Sequence, residues 1–381
     1  MRDFAIVPRP IGYFVHHQGR GHAERCASLV NALPTEQEVV IFCARDDIFP
    51  AMRDNTSVIK IPSLFERSGR EREGFDTVAT PETLHCAPLG WPGIRRAMAT
   101  MAQWFDTADP SLMICDVSAE IAQLCRICSV PHVKILQHGD RSDPGHRAAY
   151  DGAVGLLAPF ASQLAQPDWT ETMLGKTHFA GGLGLRTEAQ SKDEARARLG
   201  LDAQQKIALV LSGGGGSGWS SAPFGVAARA LPDWTWITVG AMQVDWHGTE
   251  GCNLIHKGWI DTVSDHIAAA DLVVSSTGNT TCAEVMAADR PWIVVPEWRY
   301  FDEQVEKARA LARAGVALHL DHMPSSAGAW RIAVSEARDR HRPGAQSALI
   351  NRDAAVEAAR WIQSLIPSSP SLKHKHEGIV A

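Results

Sequence analysis

The run Asp271-Leu-Val-Val-Ser-Ser-Thr-Gly-Asn-Thr-Thr-Cys-Ala-Glu284, followed by Pro291-Trp-Ile-Val-Val-Pro296 and then Asp302-Glu303-Gln304, packs a complete structural phrase into about thirty residues. A buried strand enters a turn of small residues, a helix follows, a second buried strand comes next, and an acid–amide pair closes the phrase. Short continuous apolar runs bounded by turn residues are typical of parallel strands covered on both faces. The turn at Thr277-Gly278-Asn279, with Thr280 behind it, lets an anion approach the free N–H groups of the helix. Glu284 falls about one and a half turns into that helix, where a carboxylate can accept two hydroxyl hydrogen bonds.

The same strand–turn–helix logic appears twice more. Ile11-Gly-Tyr-Phe-Val15 leads into His16-His-Gln-Gly-Arg-Gly-His22 and then a helical pattern to Leu33. Lys206-Ile-Ala-Leu-Val-Leu211 leads through Ser212 and a glycine run to Gly218, then a helical pattern to Leu231. Strands are expected at 39–43, 112–115 and 133–137 in the first half, and at 234–239, 272–275, 292–295 and 316–320 in the second. Strands alternating with helices predict an α/β chain of two Rossmann-like, doubly wound parallel-sheet domains facing a cleft. The expected division is a first domain over 1–165, a linker over 166–190, a second domain over 191–345, a C-terminal helix over 346–366 and a disordered tail over 367–381. Ser191-Lys-Asp-Glu194 has the form of a capping box, opening a helix that stops at Gly200.

At 381 residues the chain is long enough for two domains of ordinary size. With 45% apolar and 21% charged residues it reads as globular, and a net charge of −6 argues against nucleic acid as a partner. Eight cysteines are scattered through apolar patterns, as expected of thiols in a reducing compartment. Cys125 and Cys128 form a lone C-x-x-C without a second pair, so structural thiols are expected rather than a metal or redox site. No run approaches the roughly 18 apolar residues of a membrane span. The expected location is cytoplasmic, with the inner face of the membrane left open.

The glycine run at 212–218 lacks the G-K-[ST] of a nucleotide-hydrolase phosphate loop. It gains meaning by convergence. The 212–218 turn, the 276–280 turn and the 296–304 loop all follow strands of one domain, where open parallel sheets bind ligands. In this light the second half resembles the donor domain of inverting nucleotide-sugar glycosyltransferases of the GT-B fold. It is most similar to the MurG-type N-acetylglucosaminyltransferase family and more distantly to the UDP-glycosyltransferases. Trp259-Ile260-Asp261 stands nineteen residues before Gly278, as the family's uracil-contacting element does. The Gly278-to-Glu284 step matches the family's ribose-binding acid, and the Pro296-to-Gln304 step matches its sugar-reading glutamine. Ser276 and Thr277 stand where the family often has an arginine or histidine, and Glu303 replaces a more usual Gln or Asp. The first domain resembles the family through Gly19-Arg-Gly-His22-Ala-Glu-Arg25.

The resemblance implies a donor site of Gly21, Gly214, Gly215, Ser217, Trp259, Ile260, Thr277, Gly278, Asn279, Thr280, Glu284, Glu303 and Gln304. An inverting transfer also needs a base for the acceptor hydroxyl. His22, in the glycine turn after the first strand, is the candidate. Asp116 ends the strand at 112–115 and has two readings, orienting the imidazole or capping the helix from Ser118. His17, His138 and Trp91 are candidates for the acceptor side. Trp91, Ile94, Met98, Met101 and Phe105 recur at helical spacing beside Arg95 and Arg96. That stripe either covers the chain's own sheet or serves peripheral membrane association. No D-x-D occurs, so no metal and no cofactor are expected beyond a UDP-sugar co-substrate. The acceptor is an unidentified hydroxyl, on a small molecule or lipid-linked, and oligomeric state is not legible. An epimerase of UDP-N-acetylglucosamine and a non-catalytic nucleotide-sugar sensor are the competing readings.

Overall fold

The computed structural model of the chain describes residues 8–75, 77–185, 190–213, 218–243 and 253–367. The first domain holds β1 (Ile11–Phe14), β2 (Val39–Cys43), β3 (Thr56–Lys60), β4 (Leu112–Cys115), β5 (His132–Ile135), β6 (Gly155–Ala158) and β7 (Thr177–Phe179). They form one sheet in the order β3-β2-β1-β4-β5-β6-β7. The second domain holds β8 (Lys206–Leu211), β9 (Trp219–Ser220), β10 (Trp234–Val239), β11 (Met242–Gln243), β12 (Leu254–His256), β13 (Leu272–Ser275), β14 (Trp292–Val294) and β15 (Leu318–His319). Its main sheet runs β12-β10-β8-β13-β14-β15, with β9 and β11 paired apart. Every described pairing is parallel. In both sheets the order reverses beside the first strand, between β1 and β4 and between β8 and β13. Those reversals open crevices at the carboxyl ends of the strands, where ligands of such sheets bind.

Alternation along each strand sends side chains into two layers. Val39 and Ile41 join one core with Leu29 and Val30 of the helix Arg20–Ala32. Val40 and Phe42 join the other with Met101 and Phe105 of the helix Pro92–Ala108. Gly12 of β1 gives that second layer room, because a Cβ there would meet Met113 Sδ at 2.0 Å and the Trp104 ring at 2.9 Å. The apolar stripe of the helix Pro92–Ala108 is therefore turned to its own sheet: Ala97, Met101 and Phe105 are buried, and Ile94, Met98 and Trp104 pack beside them. Among the described residues no helix is long and apolar enough to cross a membrane.

The second domain repeats the arrangement. Ile207, Leu209 and Leu211 face one layer, while Ala208 and Val210 face another with Phe224, Trp236 and Trp330. The first of these layers continues into Leu136, Tyr150, Phe160 and Trp169 of the first domain, so one apolar cluster joins the two halves.

Segments without strong local patterning differ most from expectation. The stretch 166–190, read as a linker, carries the short helix Glu171–Gly175 and supplies β7 at the edge of the first sheet. Its three strand residues are each half-buried, too few and too mixed to signal a strand. The C-terminal helix, expected over 346–366, spans Ala354–Ser364 and packs on the first domain. It buries Ala354, Ala358, Ala359 and Ile362 in the core behind β1 and lays Trp361 over Gly155. Ser191 and Glu194 form the capping box and Gly200 is left-handed, as the sequence indicates. The described cysteines are free; Cys125 is buried with its sulfur 3.7 Å from that of Cys115.

Candidate active site

The chain leaves β1 after Phe14, passes His16 and turns on Gly19, whose φ of 87° suits glycine. The helix begins at Arg20, so His22 lies in its first turn rather than in the glycine turn. Three residues apart on one helix, His22 and Arg25 share a face. Asp116 follows β4, the neighbour of β1 across the strand-order reversal. The three side chains meet there. His22 Nδ1 lies 2.6 Å from Asp116 Oδ2, and Arg25 donates to Asp116 Oδ1 at 2.6 Å. Of the two readings of Asp116 the geometry favours the pairing, since the cap of the helix Ala119–Ile127 is Ser118, which accepts from Ile121 N.

Asp116 is fully buried. Burial pushes its carboxyl up, but Arg25, then His22, outweigh this and hold it well below the usual carboxylate range. An ionised carboxylate only accepts hydrogen bonds, so at 2.6 Å it favours the proton on Nδ1 over the competing Arg25 guanidinium, 3.0 Å from the same nitrogen, and turns the Nε2 lone pair outward. His22 is 21% exposed, enough for Nε2 to reach a ligand.

His16 packs beside this pair, its ring 5.3 Å from that of His22 and 4.8 Å from Phe65. Burial, and then the nearby His22, lower its pKa to about 4, so it is a neutral wall. His17 meets Glu66 Oε1 at 2.9 Å. His17, Gln18, Arg45, Lys60, Glu66 and Arg96 line an open cleft of about 810 Å³. Trp91 precedes the helix Pro92–Ala108, under the guanidinium of Arg67 at 5.8 Å. His138 is fully buried against Phe160 and Trp169, with Nε2 2.7 Å from the Leu164 carbonyl. It offers no acceptor-facing surface, because the loop after β5 folds under the second domain instead of along the cleft.

In the second domain the helix Asn279–Ala288 starts behind Gly278 with no capping side chain. Its first amides are free for an anion, and the helix dipole favours one. Glu284 is buried in that helix. Trp259 is 68% exposed, presenting a flat face, while Ile260 packs on the core. Gly214, Gly215 and Ser217 lie outside the described residues.

Gln304 and Glu303 differ in use. Gln304 Oε1 accepts from Glu297 N at 2.8 Å and from Thr277 N at 3.4 Å, and its carbonyl accepts from Thr277 Oγ1 at 2.8 Å. The side-chain oxygen thus joins the 276–278 turn to the 296–304 loop. Glu303 reaches the other domain, accepting from Arg141 at 3.1 Å. Next to it Phe301 and Asp302 are left-handed, with φ of 63° and 52°. Asp140 N donates to the Phe301 carbonyl at 2.7 Å, so the two domains are stitched by backbone as well as charge.

Both halves of the site meet at one point. A Cβ on Gly21 would lie 2.9 Å from Thr280 Oγ1, which places the first turns of the helices Arg20–Ala32 and Asn279–Ala288 in contact. Neither helix start is capped by a side chain. Two sets of free amides therefore border the space next to His22.

Arg25 closes the motif that begins at Gly19 but has no role assigned from the sequence, and Arg141 and Lys307 belong to no motif read there. Arg25 is signalled by its i+3 spacing from His22, and Lys307 by the same spacing from Gln304. Arg141 had no such signal, because its partner is 162 residues away. His85, Asp143 and His146 hold ligand-type atoms within 4.8 Å of one another. Arg141 NH1, 3.3 Å from His146 Nε2, sets a cation against that cluster.

Known proteins share this architecture along nearly the whole chain. A UDP-glycosyltransferase structure from Phytolacca americana, solved with UDP-2-fluoro-glucose and pterostilbene, superposes over 94% of the chain and 99% of its own, with TM-score 0.64 and 12% identity. The calicheamicin glycosyltransferase CalG4 covers 94% and 98% at TM-score 0.60 and 16% identity. The fold is thus that of the GT-B glycosyltransferases. Residues 241–326 match the glycosyltransferase family 28 C-terminal domain. The UDP-N-acetylglucosamine–N-acetylmuramyl-(pentapeptide) pyrophosphoryl-undecaprenol N-acetylglucosamine transferase of Clavibacter sepedonicus is 30% identical over 262 residues, covering 63% of the chain and 67% of the relative. The Thermus thermophilus protein of that name is 34% identical over 167 residues, 42% of the chain, and the match spans about half, 49%, of that relative. The chain belongs to the MurG-type family of N-acetylglucosaminyltransferases.

Proposed function

We propose that the protein is a metal-independent, inverting glycosyltransferase that moves a sugar, N-acetylglucosamine first among candidates, from a UDP-sugar to a hydroxyl acceptor. The observation that carries this reading is the contact of Gly21 with Thr280, which sets His22 beside the 276–280 turn. In the reading, the donor diphosphate rests on the amides of residues 278–280, Glu284 takes the ribose hydroxyls, and Trp259 lies on the base. The Gln304 amide then donates to the sugar.

The acceptor enters through the cleft lined by His17, Gln18 and Arg96. Its hydroxyl gives up its proton to His22 Nε2 as the oxygen attacks the anomeric carbon. The imidazolium that forms is stabilised by Asp116, whose charge Arg25 keeps in place. Bond breaking leaves UDP, whose growing charge the helix starts receive. The relatives' names point to a lipid-linked acceptor, which would put the protein at a membrane surface. The apolar stripe of the helix Pro92–Ala108 is not available for that contact, being packed on the sheet.

The test is UDP release from UDP-N-acetylglucosamine, with acceptor pools separated into lipid and water-soluble fractions and with chelator present. Release that needs an acceptor and ignores the chelator supports the reading. Conversion of the nucleotide sugar without acceptor would point to an epimerase, and tight binding without turnover to a sensor.

A further inference from the structure

Lys307 is 2% exposed, on the helix Glu303–Arg313 one turn past Gln304. Its ammonium donates to Oδ1 of Asn279, the first residue of the donor-side helix. Among the described residues no carboxylate forms an ion pair with it. Two acids of the site have cationic partners of their own, Asp116 in Arg25 and His22 and Glu303 in Arg141. The neighbouring Cys282 thiol is pushed up to about 12 by burial and carries no charge. Burial lowers the Lys307 pKa, and the face of the Phe160 ring, 5.2 Å from Nζ, with the shared charge of Glu303, offsets that burial only in part.

A buried cation without a counter-charge is costly to keep and is retained where a ligand supplies the opposite charge. The ligand indicated here is an anion. Lys307 is tied to the first residue of an uncapped helix start, and the turn Ser276-Thr277-Gly278 has no cationic side chain of its own. Arg25 is committed to Asp116 and Arg141 to Glu303. Lys307 is thus a buried cation at the turn without an ion pair among the described residues.

We infer that Lys307 supplies the positive charge for the diphosphate of the nucleotide donor, positioning Asn279 and offsetting the charge that builds on the leaving group. The inference rests on the nucleotide-sugar reading of the site and names the residue that binds its anion. Lys307 acts through Asn279 and through its field, so it is a positioning residue.

The test compares UDP and uridine by calorimetry on the full chain and on K307M, K307Q and K307R. Loss of a buried, hydrogen-bonded charge should weaken UDP by about 30-fold or more in K307M and K307Q while leaving uridine within about twofold. K307R should retain most of the UDP affinity. The thermal midpoint of unliganded K307M should not fall, since an uncompensated charge has been removed, yet the shift on adding UDP should shrink. Unchanged UDP affinity in K307M and K307Q, or equal loss of UDP and uridine, would overturn the role of Lys307. A wild-type chain that binds no UDP would overturn the site reading together with it.

Discussion

Gly21 of the first domain and Thr280 of the second stand so close that a Cβ on Gly21 would lie 2.9 Å from the Thr280 hydroxyl oxygen. This contact joins an imidazole–carboxylate pair to an uncapped helix start, although each belongs to a separate sheet. Gly21→Ala should therefore wedge the two helix starts apart. Overpacking of this kind costs about 1–3 kcal/mol, and turnover should fall about tenfold or more. Thr280→Ala in the same chain should return part of it. Kinetics of the single and double variants would check this, and simple additivity would count against a direct clash.

Asp116→Asn keeps the shape but removes the charge facing His22 and Arg25. The amide no longer fixes the proton on Nδ1, so turnover should drop by about 10²–10⁴. Arg25 is left buried without a counter-charge, at a cost of about 3–5 kcal/mol of stability. Denaturant unfolding beside steady-state rates measures both losses. A loss of stability with the rate intact would separate Asp116 from catalysis.

Acid should destabilise the chain in two stages. His16, His132 and His146 are each lowered to about 4, first of all by burial. Above pH 6.5 both folded and unfolded forms hold them neutral; between 6.5 and 4 only the unfolded chain takes up the protons, and stability declines. Asp116, held low, adds a further loss below about pH 4, the unfolded carboxyl value. His132 is buried with Nε2 unpartnered and lies on β5, away from His22, so His132→Leu should flatten the first stage. Unfolding midpoints across pH 4–7 test this, and an unchanged slope in the variant would refute it.

Glu284→Ala should weaken UDP by about 1.5–3 kcal/mol, the scale of hydrogen bonds to a charged group. The 2′-deoxy nucleotide should lose less, because its missing hydroxyl makes no bond to lose. Titration of both nucleotides into both proteins is the check, and an equal loss would contradict ribose contact.

Much of this site could be read from the sequence because its parts are local. The strand, turn and helix from Asp271 to Glu284 lie in one continuous phrase, and so does the pattern around Gly19 and His22. Parallel strands that alternate with helices also place Asp116 beside β1 once the strand order is guessed. What could not be read depends on distance. Arg141 meets Glu303 across the domain boundary, β7 pairs through three half-buried residues, and the helix Ala354–Ser364 crosses back to the first domain. None of these leaves a period or a spacing, since they arise only when both sheets are packed. Gln304 is an intermediate case. Its place was evident, but its oxygen's use in tying Thr277 to Glu297 was not.

The central claim is that His22 takes the acceptor proton while the second domain binds the donor independently. The direct measurement is the rate of acceptor-dependent UDP release by His22→Ala, paired with its affinity for UDP. The account predicts a rate lower by about 10²–10⁴ with UDP affinity within about twofold of the unaltered chain. Turnover near the unaltered rate in a variant that binds UDP normally would contradict it.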